Sequence, residues 1–319
     1  FCRTINRLDP YKHPIVVHTF PGKYDQVYTP LLKDPHFYGP SLQMGSMKAT
    51  HAETVKWVKR SASSGRKWIV CLDEIGPPHT GVQPDADDPR HDDVRRHALW
   101  GNLMGGGAGC EWYFGYKHAH NDLNCEDWRS RRRMWEQTRW ALDFFQRHLP
   151  FPRMRPADEL TSAEDDYCLA EKGRVYAIYL PGGGTTELTV PGGRYRVKWY
   201  NPRSGGPLVD GSVGTIEGPG RRPIGKPPAD GRQDWAALVS SRTNAQGMGA
   251  NPSPLLYQYP VRSQIFTFRF VPLYQSTVLS CSRVEPSTCS PYGTHRPPLT
   301  TPAASMNTGY SPKRSRRSP

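Results

Sequence analysis

Apolar positions along the chain follow two different periods, and the change between them falls near residue 150. In the first part, short apolar runs alternate with stretches of helical spacing. Residues 13–22 form a β-branched run closed by Pro21-Gly22, which predicts a strand with His18 near its end. Residues 39–45 predict a weaker second strand. Thr50-His51-Ala52-Glu53 has the form of a capping box, in which the Thr hydroxyl and the Glu carboxylate satisfy the first free amides of a helix. That helix carries Ala52, Val55, Val58 and Ala62 on one face and stops at Gly65. The next run, residues 67–75, is apolar without interruption from Trp68 to Leu72 and then carries Asp73 and Glu74 before Ile75 and Gly76-Pro77-Pro78. Such a run predicts a parallel strand covered on both faces, and chemistry in such sheets sits beyond the carboxyl ends of the strands.

Helical spacing resumes over residues 94–104, and residues 110–115 predict another strand, with Glu111 inside an aromatic run. A long helix follows from Asp127, its cap, to Leu149, with a stripe of Trp128, Trp135, Thr138, Ala141 or Leu142, and Phe145. Arg129, Arg131, Arg132 and Arg133 read as its solvated face. Strands alternating with helices predict a parallel sheet or barrel over residues 1–150. Beyond a stiff Pro-rich linker, residues 150–156, the helical period disappears. Short strands at residues 175–180, 186–190, 194–200 and 234–239, separated by Gly-rich turns, predict a small antiparallel β-sandwich over 158–240. Exposure of Tyr195, Trp199 or Trp235 on one of its faces would indicate binding, and burial would make them core.

Residues 241–319 are Ser/Thr/Pro-rich, with one strand-like island at 264–270. This composition predicts either a disordered basic tail or a shifted reading frame. The tail also changes the meaning of the charge. Nine Lys and Arg against Glu285 give it +8 of the total +13, which leaves +5 on the first 240 residues. Nucleic-acid binding is therefore not expected of the folded part, and the basic end at 313–317 reads as a solvated cluster before a nucleic-acid tail. No stretch approaches the roughly 20 apolar residues of a membrane span. The seven cysteines include no Cys-x-x-Cys pair, so neither a zinc knuckle nor a disulfide framework is indicated. The chain opens at Phe1 without a leader, which leaves a signal peptide lost with a preceding segment open.

The candidate chemistry lies at Asp73 and Glu74. Alternation places Glu74 with Trp68, Val70 and Leu72, and Asp73 with Ile69 and Cys71, and favours Glu74 as the working carboxylate. Glu111 is the second carboxylate candidate. The glycines at 105–109 follow a helix and precede a strand, the reverse of a phosphate loop, so no nucleotide is expected. His118, His120, Asp122 and Cys125 have only weak zinc spacing, and Asp85, Asp87 and Asp88 lack the glycine and distal Glu of a calcium loop; no metal or cofactor is expected.

Five stretches in order, 41–43, 68–74, 99–109, 111–116 and 140–145, resemble the apiosidase-like (β/α)8-barrel glycosidases of bacteria. Residues 167–169, 176–180, 199–206 and 234–235 resemble the small β-sandwich, labelled collagen-binding, that follows those barrels. The resemblance implies an α/β fold: a partial (β/α)8 TIM barrel, about strands five to eight, then the sandwich. It implies a secreted or periplasmic retaining glycoside hydrolase acting on polysaccharide or oligosaccharide side chains. In such enzymes the acid/base carboxyl ends strand four and the nucleophile ends strand seven, ~5 Å apart. Glu74 matches the nucleophile, while the acid/base has no counterpart in this chain, so the chain alone is expected to be inactive. His18, Asp73, Glu111, Trp112 and Tyr113 are the expected substrate-binding residues. A non-catalytic protein that binds collagen or carbohydrate through the sandwich is the alternative.

Overall fold

The computed structural model describes residues 1–77 and 79–241. The expectations for the tail, its strand-like island and its basic end lie outside the described residues. The chain is a mixed α/β structure with a four-stranded parallel sheet and a six-stranded antiparallel sheet.

Helix α1 (Cys2–Leu8) leads into β1 (Ile15–Thr19), α2 (Tyr24–Tyr28), β2 (Phe37–Met44), α3 (Thr50–Ser63), β3 (Cys71–Ile75), α4 (Trp100–Met104) and β4 (Gly109–Cys110). The strands lie side by side in the order β1-β2-β3-β4, all parallel. Helices connect them because a parallel neighbour is reached only by a crossover. Leu42, Met44, Trp68, Val70 and Leu72 are buried on the helix side. The opposite face is open, with Val16 and Ile69 exposed. The sequence predicted cover on both faces; among the described residues a layer stands on one side only.

Two helix starts differ from expectation. A 3-10 turn, Met47–Ala49, precedes α3, so Ala49 is its N-cap and Thr50 lies inside the helix. The Thr50 hydroxyl is buried without a hydrogen-bond partner and Glu53 pairs with Lys56 instead, so no capping box forms. The buried stripe of α3 is Thr50, His51, Thr54, Trp57, Val58 and Ser61, rotated from the expected one. Trp57 is the reason: its ring fills the space between Trp68 and Tyr28, at 6.1 and 5.2 Å between centroids, and its burial outweighs that of Ala52 or Ala62. Likewise Asp127 caps a short 3-10 turn, Trp128–Arg131, by accepting from the Arg129 amide, and α5 (Arg132–His148) begins after it. Arg131 is not solvated. Its guanidinium is buried over the Phe114 ring and donates to the carbonyls of Val82, Ala119 and His120.

After α5 come β5 (Arg155–Pro156), β6 (Tyr167–Glu171), β7 (Val175–Leu180), β8 (Glu187–Tyr200), β9 (Thr215–Pro223) and β10 (Trp235–Ser241). They form one hydrogen-bonded sheet in the order β5-β6-β7-β10-β8-β9. Residues 150–156, expected as a linker, include β5, which pairs with β6. Strand β9 was not predicted. Its Pro and Gly content argues against a central strand but is tolerated at the edge it occupies, where only one neighbour needs its amides.

Alternation along β7 and β10 divides their side chains between two cores. Val175, Ala177, Tyr179, Ala236 and Leu238 join the helices of the parallel layer. Tyr176, Ile178, Leu180, Trp235, Ala237 and Val239 join Tyr195, Val197 and Trp199 in a second core on the far side. Trp100 of α4 stacks on Tyr179 at 4.7 Å. Beside it, Arg95 makes a two-pronged pair with buried Asp234, at 2.9 and 2.8 Å, and the Tyr179 hydroxyl donates to the same carboxylate at 2.7 Å.

Candidate active site

The carboxyl ends of β1, β2 and β3 bring together His18, Ser41, Gln43, Asp73 and Glu74. A β-bulge makes this possible. In the β2–β3 ladder Leu42 stands opposite Leu72, but Gln43 stands opposite Glu74, so β3 carries one extra residue at Asp73. A bulge re-aims the side chains that follow it. Glu74 therefore takes the face of its partner Gln43, not that of Leu72, and Ile75 returns to the core. The expected parity of Glu74 with Trp68, Val70 and Leu72 is corrected by this extra residue: those three are buried against helices, and Glu74 is half-buried on the open face.

Glu74 has a hydrogen bond at one oxygen and a close contact at the other. Gln43 Nε2 donates to Oε1 at 2.8 Å, and His18 Nε2 lies 3.3 Å from Oε2. The other ring nitrogen of His18 stands 2.9 Å from Ser41 Oγ. Register explains the meeting, since His18 is the direct partner of Ser41 across β1 and β2. Tyr24 and Tyr28 of α2 fix β2 from behind by donating to the carbonyls of Gln43 and Ser41. Asp73 is half-buried, and burial raises its carboxyl pKa, opposed by the Ser41 hydroxyl and the His18 ring.

Glu111 follows β4, and its amide donates to the Leu72 carbonyl at 2.7 Å, which holds it beside the end of β3. Burial first and then the charge of Asp73 push its carboxyl up. Tyr113 is half-buried, and its phenol is raised by desolvation and by the Glu74 carboxylate. Trp112 differs from expectation. It is buried in the first core with its indole N–H on Thr138 Oγ1 at 3.1 Å, so its ring packs toward α5. A half-open cleft of about 290 Å³ lies at the segments that follow β2 and β3, lined by Ser46, Lys48, Gly76, Pro77, Gln83 and Asp93 among others.

Among the described residues no group of three or more His, Cys, Asp or Glu converges as a metal site. His118 pairs with Asp87 at 3.0 Å, Asp122 accepts from the Phe114 amide at 2.7 Å, and Asp85 accepts from His91 at 2.7 Å. In the antiparallel sheet, Tyr195, Trp199 and Trp235 are all buried, so they are core.

Sequence alone did not single out Ser41 and Gln43 as site residues. The signal was their place near the end of a strand that neighbours Asp73 and Glu74, which only the strand order makes visible.

No family model and no curated protein matches the sequence. Solved structures do match the fold. One described as a glycoside hydrolase shares 13% identity over 76% of this chain and 60% of its own, with a TM-score of 0.57. A glycoside hydrolase family 5 protein from Bacteroides vulgatus ATCC 8482 shares 13% identity over 76% of this chain and 58% of its own, with a TM-score of 0.53. At that identity the likeness is one of fold, and it extends over about three-fifths of their length: this chain shares its fold with glycoside hydrolases.

Proposed function

We propose that the chain is the carboxyl-terminal portion of a retaining glycoside hydrolase, with Glu74 as its nucleophile and a polysaccharide or oligosaccharide side chain as its substrate. The observation that carries this is the Glu74 carboxylate, hydrogen-bonded by Gln43 and approached by His18 on the open face of a parallel sheet, at the carboxyl end of a strand. The Gln43 hydrogen bond orients the carboxylate, as an attacking group requires.

The four parallel strands correspond to half of an eight-stranded barrel, in which their open face is the interior. Glu74 attacks the anomeric carbon and expels the leaving oxygen, and water then releases the glycosyl group from Glu74. Protonation of the leaving oxygen falls to a carboxylic acid on a strand outside this chain. Asp73, Glu111 and Tyr113 are the residues offered to the sugar beside Glu74. Alone, the chain hydrolyses no glycoside. Extended upstream in frame through four further β/α units, it does, and Glu74→Gln lowers kcat by about 10³-fold or more, the scale at which loss of a nucleophile is felt. An assay on aryl glycosides and pectic oligosaccharides decides this, because turnover unchanged by Glu74→Gln removes Glu74 from the reaction.

A further inference from the structure

Residues 79–82 follow β3 and residues 111–117 follow β4. Those strands are parallel, so both segments lie at the end of the sheet where Glu74 stands. Tyr116, in the second segment, is 56% exposed. A single exposed aromatic is ordinary on a protein surface. Tyr116 differs in that its backbone is clamped while its side chain is open to solvent.

The clamp acts on both of its peptide groups. The amides of Tyr116 and Lys117 donate to the His79 carbonyl, at 3.4 and 2.9 Å, and the Tyr116 carbonyl accepts from Asn121 Nδ2 at 3.3 Å. Asn121 is buried and itself fixed, donating to the His118 carbonyl and accepting from the Leu123 amide, each at 2.9 Å. The Val82 amide donates to the Tyr113 carbonyl at 2.7 Å and ties the two segments together a second time. Between these ties Gly81 and Gly115 take left-handed backbone, at φ +51° and +70°. The segments press so closely that a side chain on Gly81 would run into the Tyr113 carbonyl, and one on Gly115 into the Thr80 carbonyl. The direction in which Tyr116 leaves the loop is therefore set by backbone contact. His79 adds its ring, 6.4 Å from the phenol ring and tilted by 59°. The other exposed side chains that follow β4 are less suited to receive a flat ligand: Trp128 already carries the Arg129 guanidinium over its ring at 5.5 Å, and Leu123 has no π face.

We propose that Tyr116 is a stacking platform for a pyranose unit of an oligosaccharide, fixed in place before the sugar arrives. One face of a pyranose presents C–H bonds whose slight positive charge suits the negative face of an aromatic ring, while its hydroxyls stay in water. Because the loop is already ordered, binding does not have to order it. The choice of a sugar as ligand rests on the glycoside hydrolase reading above. The platform does not rest on Glu74 being the nucleophile, and it is measured without turnover.

The test is a titration of the full chain with pectic oligosaccharides, read by calorimetry and by ligand-observed NMR. The wild type is expected to bind, with the C–H protons of one sugar face closest to the protein. Tyr116→Ala weakens binding about tenfold. Its unfolding midpoint stays that of the wild type, because an exposed side chain supports no core. Tyr116→Phe keeps the ring and keeps the affinity, and Leu123→Ala, exposed in the same loop, binds as the wild type does. Affinity unchanged in Tyr116→Ala, or lost equally in Tyr116→Phe, overturns the platform and leaves the glycoside hydrolase reading standing. A wild-type chain that binds none of the oligosaccharides overturns both.

Discussion

A carboxylate buried without a counter-ion must hold a proton or cost stability, and Asp166 is in that position. It is 4% exposed, one of its oxygens has no hydrogen-bond partner, and burial pushes its pKa up to about 6 despite a contact with Thr186. The folded value lies above the unfolded one of about 3.8, so the folded state binds the proton more tightly. That contribution is complete below about pH 4 and is lost as pH rises to about 6, by about 2–3 kcal/mol. Asp166→Asn is expected to flatten this part of the profile. Urea midpoints of both proteins between pH 4 and 7 check it, and parallel profiles would reject it. Trp112 makes the opposite kind of claim, that an aromatic in the candidate region is packing. Trp112→Ala is expected to cost about 3–5 kcal/mol in unfolding free energy, whereas an exposed sugar platform would lose ligand affinity at unchanged stability. Its aromatic neighbours were legible in the sequence, but its direction was not. Strand β4 ends at Cys110, so alternation says nothing beyond it.

Elements were most legible where their apolar pattern answers to a single neighbour. The strand that ends in Asp73 and Glu74 stands out because its helix-side residues are all apolar. The bulge within it leaves no mark in composition, so the faces of Asp73 and Glu74 had to come from the register. The face of α3 was misplaced because its stripe is set by one Trp and several buried polar residues, which a count of aliphatic positions overlooks. The same blindness hides Arg95, in a π-helical turn (Val94–Leu99), which reaches across to Asp234. Burial alone would raise the Asp234 carboxyl, but the Arg95 guanidinium holds it below its ordinary value. Asp234→Ala strands a buried guanidinium and is expected to cost about 3–5 kcal/mol. The double substitution Arg95→Met, Asp234→Ala is expected to recover part of that. Guanidinium-chloride unfolding of the wild type, both single variants and the double variant gives the coupling, and simple additivity would show that the pair does not interact.

For the whole molecule, the two periods in the sequence correctly announce a parallel and an antiparallel sheet, but not that the sheets share a core. Residues 150–156 look like a linker only because Pro-rich composition is indifferent to whether the chain is free or pinned; here it is pinned through β5. The open face of the parallel sheet leaves Val16 and Ile69 exposed beside the half-buried Glu74. The proposed function asks that this face meet a further set of strands bringing a second carboxylate. The most direct measurement is azide rescue of Glu74→Ala in the upstream-extended protein, using an aryl glycoside with a good leaving group that needs no acid. The account predicts that azide restores turnover and yields a glycosyl azide of inverted configuration, because azide takes the space the nucleophile vacated. A Glu74→Ala protein that hydrolyses the glycoside at the wild-type rate, or whose rescued product retains configuration, contradicts it.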